Sequence, residues 1–369
     1  MPRILHVMHD FHDNSMTRIV MQIVQHLSPN GSEFHTGAVT DSPQLKDELR
    51  ESGAQLVEFF HHKSVPEAIR AYVQQHDIDL VHSHSPRTAI HTFFALRRMS
   101  RVPHMQTRHL LATPQSRRLG LVYTAVDRAS LFMSDLVVPV SKTMGEQIRA
   151  IPGLDARKIE PIQNGVDTRR FFVPEVRQSV RKELGLAPGD AVIIFAGRLE
   201  VMKRVDVLLS ALAAQLAQFP NTHLLIVGEG TLKSELMAQA QGLGIADHVR
   251  WLGFRRDVPQ LLAAADIYAQ SSNNEGLSLS ILEAMAAGKT IVSTDVGAAR
   301  EVLEHDITGL IVPPDDTTKF AASLRTVLDD PQKASHLAQN ARRVVNDQFS
   351  VEKMADSYNQ AYQRLLAGR

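Results

Sequence analysis

The chain has 369 residues, 44% of them hydrophobic and 22% charged, with 40 Lys and Arg offsetting 40 Asp and Glu. That length suits two domains of about 150 residues each, and the composition excludes the disordered and fibrous classes. The zero net charge gives no footprint for a polyanionic partner, so no nucleic acid is expected, and the lack of cysteine excludes disulfides and thiolate metal sites. No run reaches the roughly 18 apolar residues of a membrane span. The opening stretch MPRILHVMHD has too short an apolar run for a signal peptide, so a cytoplasmic location is expected.

Residues 4–8 read as a buried strand and 16–27 as a helix with apolar residues at helical spacing. Further strands are predicted over 34–39, 56–59, 80–81, 104–107 and 136–140, mostly separated by helical stretches. The rhythm restarts over 191–196, 222–227, 248–252, 267–269, 290–293 and 309–312. Strand–helix alternation implies an α/β fold with a mostly parallel sheet and helices on both faces. Two such series predict two doubly wound Rossmann-like domains. The join falls near the turn signal Asn164-Gly165-Val166-Asp167, giving domains 1–168 and 169–349. The remaining segment, 350–369, is amphipathic and is expected to return to the first domain.

Ligands of such sheets bind beyond the carboxyl ends of the strands. The strand over 191–196 leads into Gly197-Arg198-Leu199-Glu200-Val201-Met202-Lys203, where Lys203 is expected to open the next helix. Two cations near a helix N-terminus suit a diphosphate, although ordinary surface charge explains the pattern equally well. Gly228-Glu229-Gly230 marks a close turn after the next strand. The segment 274–288, NEGLSLSILEAMAAG, places Glu275 in a loop and Glu283 in the first turn of a helix starting near Ser278–Ser280. Gly288 then stops that helix. Both carboxylates suit sugar hydroxyls, being pure acceptors, but Ser280-x-x-Glu283 also matches a capping box.

Glu275 and Glu283, eight residues apart within this segment, resemble the E-x7-E signature of family-4 glycosyltransferases. Gly-Arg-Leu-Glu-x-x-Lys at 197–203, Gly-Glu-Gly at 228–230 and Trp251-Leu252-Gly253-Phe254 follow the family's order and spacing. So do Asn-Gly-Val-Asp at 164–167 and Thr294-Asp295-Val296-Gly297. The resemblance spans nearly the whole chain and is strongest over 164–315. It implies the GT-B fold, two Rossmann-like domains facing each other across a cleft, and retaining transfer from a nucleotide sugar without a metal or other cofactor. By similarity, Arg198 and Lys203 hold the diphosphate, Glu283 the ribose hydroxyls and Glu275 the transferred sugar. Gly197, Gly228, Gly253, Phe254, Gly276, Leu277, Ser278 and Leu279 complete the donor site. Retention in this family is ascribed to front-face attack, so Glu275 is not assigned as a nucleophile.

The resemblance also implies that the first domain receives the acceptor, with His109, after the strand over 104–107, facing the donor sugar. Acceptor-side candidates are Ser15, Met16, His82, His84 and Arg87. Relatives place a Gly-Gly turn where this chain has Ser15 and Met16, so those side chains are expected to narrow the acceptor cleft. His82 and His84 read as polar cleft lining, having no carboxylate or cysteine nearby to make a metal site. Asp77-Ile78-Asp79 precedes a strand and reads as a polar turn. Between Leu80 and Val126 there is no acid but there are seven arginines: Arg87, Arg97, Arg98, Arg101, Arg108, Arg117 and Arg118. They predict a basic surface for anionic membrane lipid or a pyrophosphate-linked acceptor, with peripheral attachment at the inner face.

The expected activity is hexosyl or N-acetylhexosaminyl transfer to a hydroxyl of a glycan or lipid-linked acceptor, in surface polysaccharide or lipopolysaccharide assembly. Alternatives are a sugar-nucleotide epimerase or hydrolase on the same fold, and a non-catalytic nucleotide-sugar-binding subunit. No residue selects the base, sugar or acceptor.

Overall fold

A computed structural model describes all residues except 13, 42–44, 100–101, 111–118 and 369. The side chains of residue 30 and of 119–123 are also outside the description. The chain forms two compact units, Met1–Gly165 with Val351–Arg369, and Val166–Ser350.

The first unit runs β1 (Arg3–Met8), α1 (Ser15–Leu27), β2 (Glu33–Ala38), α2 (Lys46–Glu51), β3 (Gln55–Glu58) and α3 (Val65–Gln75). It continues through β4 (Leu80–Ser83), α4 (Pro86–Leu96), β5 (His104–Arg108), α5 (Leu119–Leu131), β6 (Leu136–Pro139) and α6 (Lys142–Arg149). The second unit runs α7 (Thr168–Phe171), α8 (Arg177–Glu183), β7 (Ala191–Ala196), α9 (Val205–Ala213), β8 (Thr222–Val227), α10 (Lys233–Gly242) and β9 (Val249–Gly253). Then follow α11 (Val258–Ala264), β10 (Ile267–Gln270), α12 (Leu279–Ala286), β11 (Thr290–Thr294), α13 (Ala299–Val302), β12 (Leu310–Val312), α14 (Thr317–Asp329) and α15 (Pro331–Gln348). The closing helix α16 (Val351–Ala367) belongs to the first unit.

Each unit holds a six-stranded sheet, ordered β3-β2-β1-β4-β5-β6 in the first and β12-β11-β10-β7-β8-β9 in the second. All pairings between the named strands are parallel. The strands are apolar because helices cover both faces of such sheets. β7 has Val192, Ile193, Ile194 and Phe195 buried in succession. The helices bury one stripe: α16 hides Val351, Met354, Ala355, Tyr358, Ala361 and Tyr362 at helical spacing and packs on α1.

The two sheets share one winding. In each, the chain winds outward from a central strand, then returns to the other side of that strand and winds away. The reversal falls between β1 and β4 in the first unit and between β7 and β10 in the second. At such a point the neighbouring connections leave in opposite directions and open a crevice beyond the strand ends. Among the described residues no helix is long and apolar enough to cross a membrane.

Candidate active site

In the second unit the loops after β7, β8 and β9 are bonded backbone to backbone. The N–H of Gly197 donates to the Val227 carbonyl at 2.9 Å, that of Leu199 to Glu229 at 2.9 Å, and that of Gly228 to Gly253 at 2.8 Å. Gly228 has a φ of 132°, and a Cβ there would lie 2.0 Å from the carbonyl oxygen of Gly197, so only glycine fits. Phe254 follows this shelf and is exposed.

Arg198 is exposed and pairs with no carboxylate among the described residues. Lys203 does not open a helix. Val201–Lys203 form one 3-10 turn, Arg204 turns left-handed at φ 47°, and α9 begins only at Val205. That turn sends Lys203 to the reversal point, where its Nζ lies 2.5 Å from Oε1 of Glu275. Ser272 Oγ donates to the same oxygen at 2.7 Å. Glu275 Oε2 accepts nothing from the described residues and is available to a ligand hydroxyl.

The helix after this loop starts at Leu279, with Ser278 as its cap: Oγ accepts from the Ile281 N–H at 3.4 Å and donates to Gln270 Oε1 at 2.7 Å. The capping-box reading of Ser280 and Glu283 is therefore displaced. Ser278 occupies the cap, and Glu283 is the fifth helical residue, buried in the second turn rather than the first. Burial, with added repulsion from Glu275 and Glu283, pushes the Tyr268 phenol far above its ordinary range, so it remains a neutral donor. Gly276 and Ser272 are held through their carbonyls. The Ala298 N–H donates to the Gly276 carbonyl at 3.0 Å, and Thr294 Oγ1 donates to that of Ser272 at 2.5 Å.

The first unit gathers histidines at its own reversal point. His6 on β1 and His82 on β4 are register partners, and His84 lies two residues beyond His82. All three are buried, so His82 and His84 are core residues and do not line a surface. The reason is the parallel register, which aims all three rings at the same sheet face, beneath Tyr358 and Tyr362 of α16. His82 bonds Tyr362 Oη at 2.8 Å and Thr107 Oγ1 at 2.7 Å. Ligand nitrogens of the three lie within 4.8 Å of one another. His84 Nδ1 in turn meets Nε2 of His109, just beyond β5, at 3.3 Å. Burial lowers His6 and His109 to about 3, so both stay neutral.

Ser15 and Met16 open α1 behind the cap Asn14, Ser15 exposed and Met16 half-buried. Arg87 is exposed near the start of α4. The expected basic surface loses Arg108, which is buried and paired with Asp127 of α5. An acid just beyond the acid-free run reaches back to it, because α5 brings Asp127 and Ser130 to the end of β5. Arg87, Arg97 and Arg98 are exposed, whereas Arg101, Arg117 and Arg118 fall outside the described residues. Asp77 and Asp79 form a polar turn, Asp79 accepting from the Arg3 N–H at 2.9 Å.

Known proteins share this sequence and architecture. The profile of the family described as Glycosyltransferase Family 4 matches residues 16–170, and that of Glycosyl transferases group 1 matches residues 176–344. A D-inositol 3-phosphate glycosyltransferase of Jonesia denitrificans is 31% identical over 78% of this chain and 72% of its own. The chain belongs to the family-4 glycosyltransferases. A glycogen synthase of Mycobacterium tuberculosis is also 31% identical to this glycosyltransferase, over 77% of this chain and 68% of its own. Anabaena HepE, solved in complex with UDP-glucose, superposes with a TM-score of 0.88 at 23% identity, covering 99% of this chain and 100% of that one. That likeness shows the GT-B fold of two Rossmann-like domains.

Several residues at the two reversal points of this glycosyltransferase escape a sequence reading. His6, Ser272, Gln270 and Tyr268 lie in ordinary strands or loops, and no local spacing marks them. The order of the strands brings His6 to His82 and Tyr268 to Ile194 of β7, so strand pairing is the signal that would have found them.

Proposed function

We propose that the enzyme is a retaining glycosyltransferase that moves a sugar from a nucleoside-diphosphate sugar to a hydroxyl of a glycan or lipid-linked acceptor, in surface-polysaccharide or lipopolysaccharide assembly. The observation that carries the donor assignment is the reversal point of the second unit. An unpaired Arg198, the Lys203–Glu275 ion pair and the capped start of α12 all arise there. Arg198 and Lys203 supply fixed positive charge for the departing nucleoside diphosphate, which is work a divalent ion does elsewhere. The second oxygen of Glu275 accepts from a hydroxyl of the transferred sugar, and Glu283 from the ribose. HepE in its UDP-glucose complex supports a sugar nucleotide as donor, and the glycogen synthase relative supports a glycan acceptor.

The exposed Arg87, at the start of α4, and Arg97 and Arg98, just past its end, supply positive charge for anionic lipid at the cytoplasmic side of a membrane, and Arg97 lies 5.1 Å from the centroid of the exposed Phe94 ring. The deciding experiment is calorimetry of the purified protein with UDP-, GDP- and ADP-sugars, with and without magnesium. Binding of one nucleotide series without magnesium, lost in Arg198→Ala, is the expected result. A folded protein that binds none of them refutes the donor assignment.

A further inference from the structure

The buried imidazoles of the first unit form a chain whose proton positions are coupled. His6 Nδ1 lies 2.8 Å from His84 Nε2, and His84 Nδ1 lies 3.3 Å from His109 Nε2. The two ends, Nε2 of His6 and Nδ1 of His109, are buried atoms with no partner among the described residues. A neutral imidazole carries one N–H and one lone pair. Both contacts can therefore be hydrogen bonds in only two ways. Either all three rings are protonated on Nδ1, or all three on Nε2.

In both arrangements one end of the chain holds an N–H that donates to nothing. If the protons sit on Nε2, the orphan belongs to His6, which is fully buried beside the rings of Phe34 and Tyr362. If they sit on Nδ1, it belongs to His109, a partly exposed residue just past the carboxyl end of β5. An orphaned N–H deep in a core is rare because nothing offsets its desolvation. His109 Nδ1 is covered as well, but its residue is half-buried at the carboxyl end of the sheet, where ligands of such folds bind, so a small displacement of its cover brings that N–H to a bound oxygen. His82, with one nitrogen bonded to Tyr362 and the other to Thr107, packs 4.1 Å from His84 between ring centroids and holds it in line.

We propose that His84 and His6 are positioning residues that fix His109 as the Nδ1–H tautomer, so that it offers a hydrogen-bond donor, and not a base, to an oxygen of the bound substrate. The substrate's identity rests on the transferase reading above, whereas the tautomer does not. Substrate then meets a ring already in the donor tautomer, and only the cover over its Nδ1 has to move. His6 Nδ1 and His84 Nε2 already share a hydrogen bond, and both nitrogens of His82 are bonded to Tyr362 and Thr107, which competes with a metal ion held by these three rings.

Long-range proton–nitrogen NMR of the full-length protein labelled with 15N-histidine reads the tautomer directly, with the His109 signal identified by its loss in His109→Gln. The expected wild-type result is a proton on Nδ1 and a bare Nε2 for His109, His84 and His6. His84→Leu removes the donor to Nε2 and shifts His109 toward the Nε2–H form. His84→Gln, whose amide donates in the same place, restores it. A wild-type His109 protonated on Nε2 overturns the proposal without need of any variant, as does a tautomer indifferent to His84→Leu. So does stoichiometric zinc in the purified protein that is lost in His82→Leu. In a transfer assay, His84→Leu should lower kcat/KM about tenfold, the worth of one hydrogen bond, with recovery in His84→Gln. A shifted tautomer with unchanged kcat/KM would leave the relay standing and remove His109 from the transferase site.

Discussion

The ammonium of Lys203 and the carboxylate of Glu275 meet at 2.5 Å, although 72 residues separate them in sequence. Ser272 donates to the same carboxylate oxygen at 2.7 Å, so one oxygen of Glu275 is fixed and the other is left for a ligand. Lys203→Ala and Glu275→Ala should each lower turnover about 100- to 1000-fold, the range for loss of one charge-stabilising group. Arg198→Ala should match that loss with no change in melting temperature, because its side chain is exposed and has no carboxylate partner among the described residues. Steady-state kinetics and thermal unfolding of the three variants check this, and near-wild-type turnover in all of them refutes the assignment.

The loop carrying Glu275 is held by a glycine that contributes no side chain of its own. Gly297 has a φ of 57°, and a Cβ there would lie 2.2 Å from the carbonyl oxygen of Glu275 and 2.6 Å from that of Gly276. Gly297→Ala should therefore displace the 273–278 loop. The expected cost is about 1–3 kcal/mol of stability, with a larger proportional loss of donor affinity than of acceptor affinity. Calorimetry against both substrates separates the two. Equal losses would mean that the loop does not belong to the donor site.

Both halves of the fold were legible because parallel strands in α/β units are short apolar runs between helices. All twelve strand positions emerge from the pattern, with ends within about two residues of those observed. Lys203, Glu275 and Glu283 stand out through their motif. What the sequence does not carry is which strand lies beside which. His6 has no neighbour in sequence to mark it, and only register with His82 brings it into the histidine cluster. Arg108 reads as one of seven surface cations until α5 lays Asp127 against it. Ser278 and Ser280 are equally good caps by type, and backbone geometry alone decides between them.

The buried histidines make stability depend on pH. His6 and His104 protonate at about 3 and about 4 in the folded chain, against an ordinary 6.5, because burial penalises the charged ring. Below pH 6.5 the unfolded chain binds more protons than the folded one, so stability is complete above that pH and falls as the medium is acidified. At pH 5 each of the two rings should cost about 2 kcal/mol. Urea unfolding midpoints should fall between pH 7.5 and pH 5, and fall less steeply in His6→Phe, where His104 still contributes. A midpoint that does not move would show that these rings are solvated and free to charge.

The proposed membrane contact of the first unit gives a charge-dependent prediction. Arg97 and Arg98 are exposed and Arg97 lies beside Phe94, so an anionic bilayer would gain two charges and an aromatic ring, each arginine contributing about 1 kcal/mol near the surface. The double variant Arg97→Glu, Arg98→Glu reverses both charges on exposed side chains and should leave the unfolding temperature unchanged. Co-sedimentation with phosphatidylglycerol vesicles should show binding by the wild type that weakens at least tenfold in the variant and fades as salt shortens the Debye length. Phosphatidylcholine vesicles should bind neither protein. Equal, negligible binding to both lipids by the wild type would remove the membrane from the proposed function and leave a soluble or pyrophosphate-linked acceptor as the partner of this face.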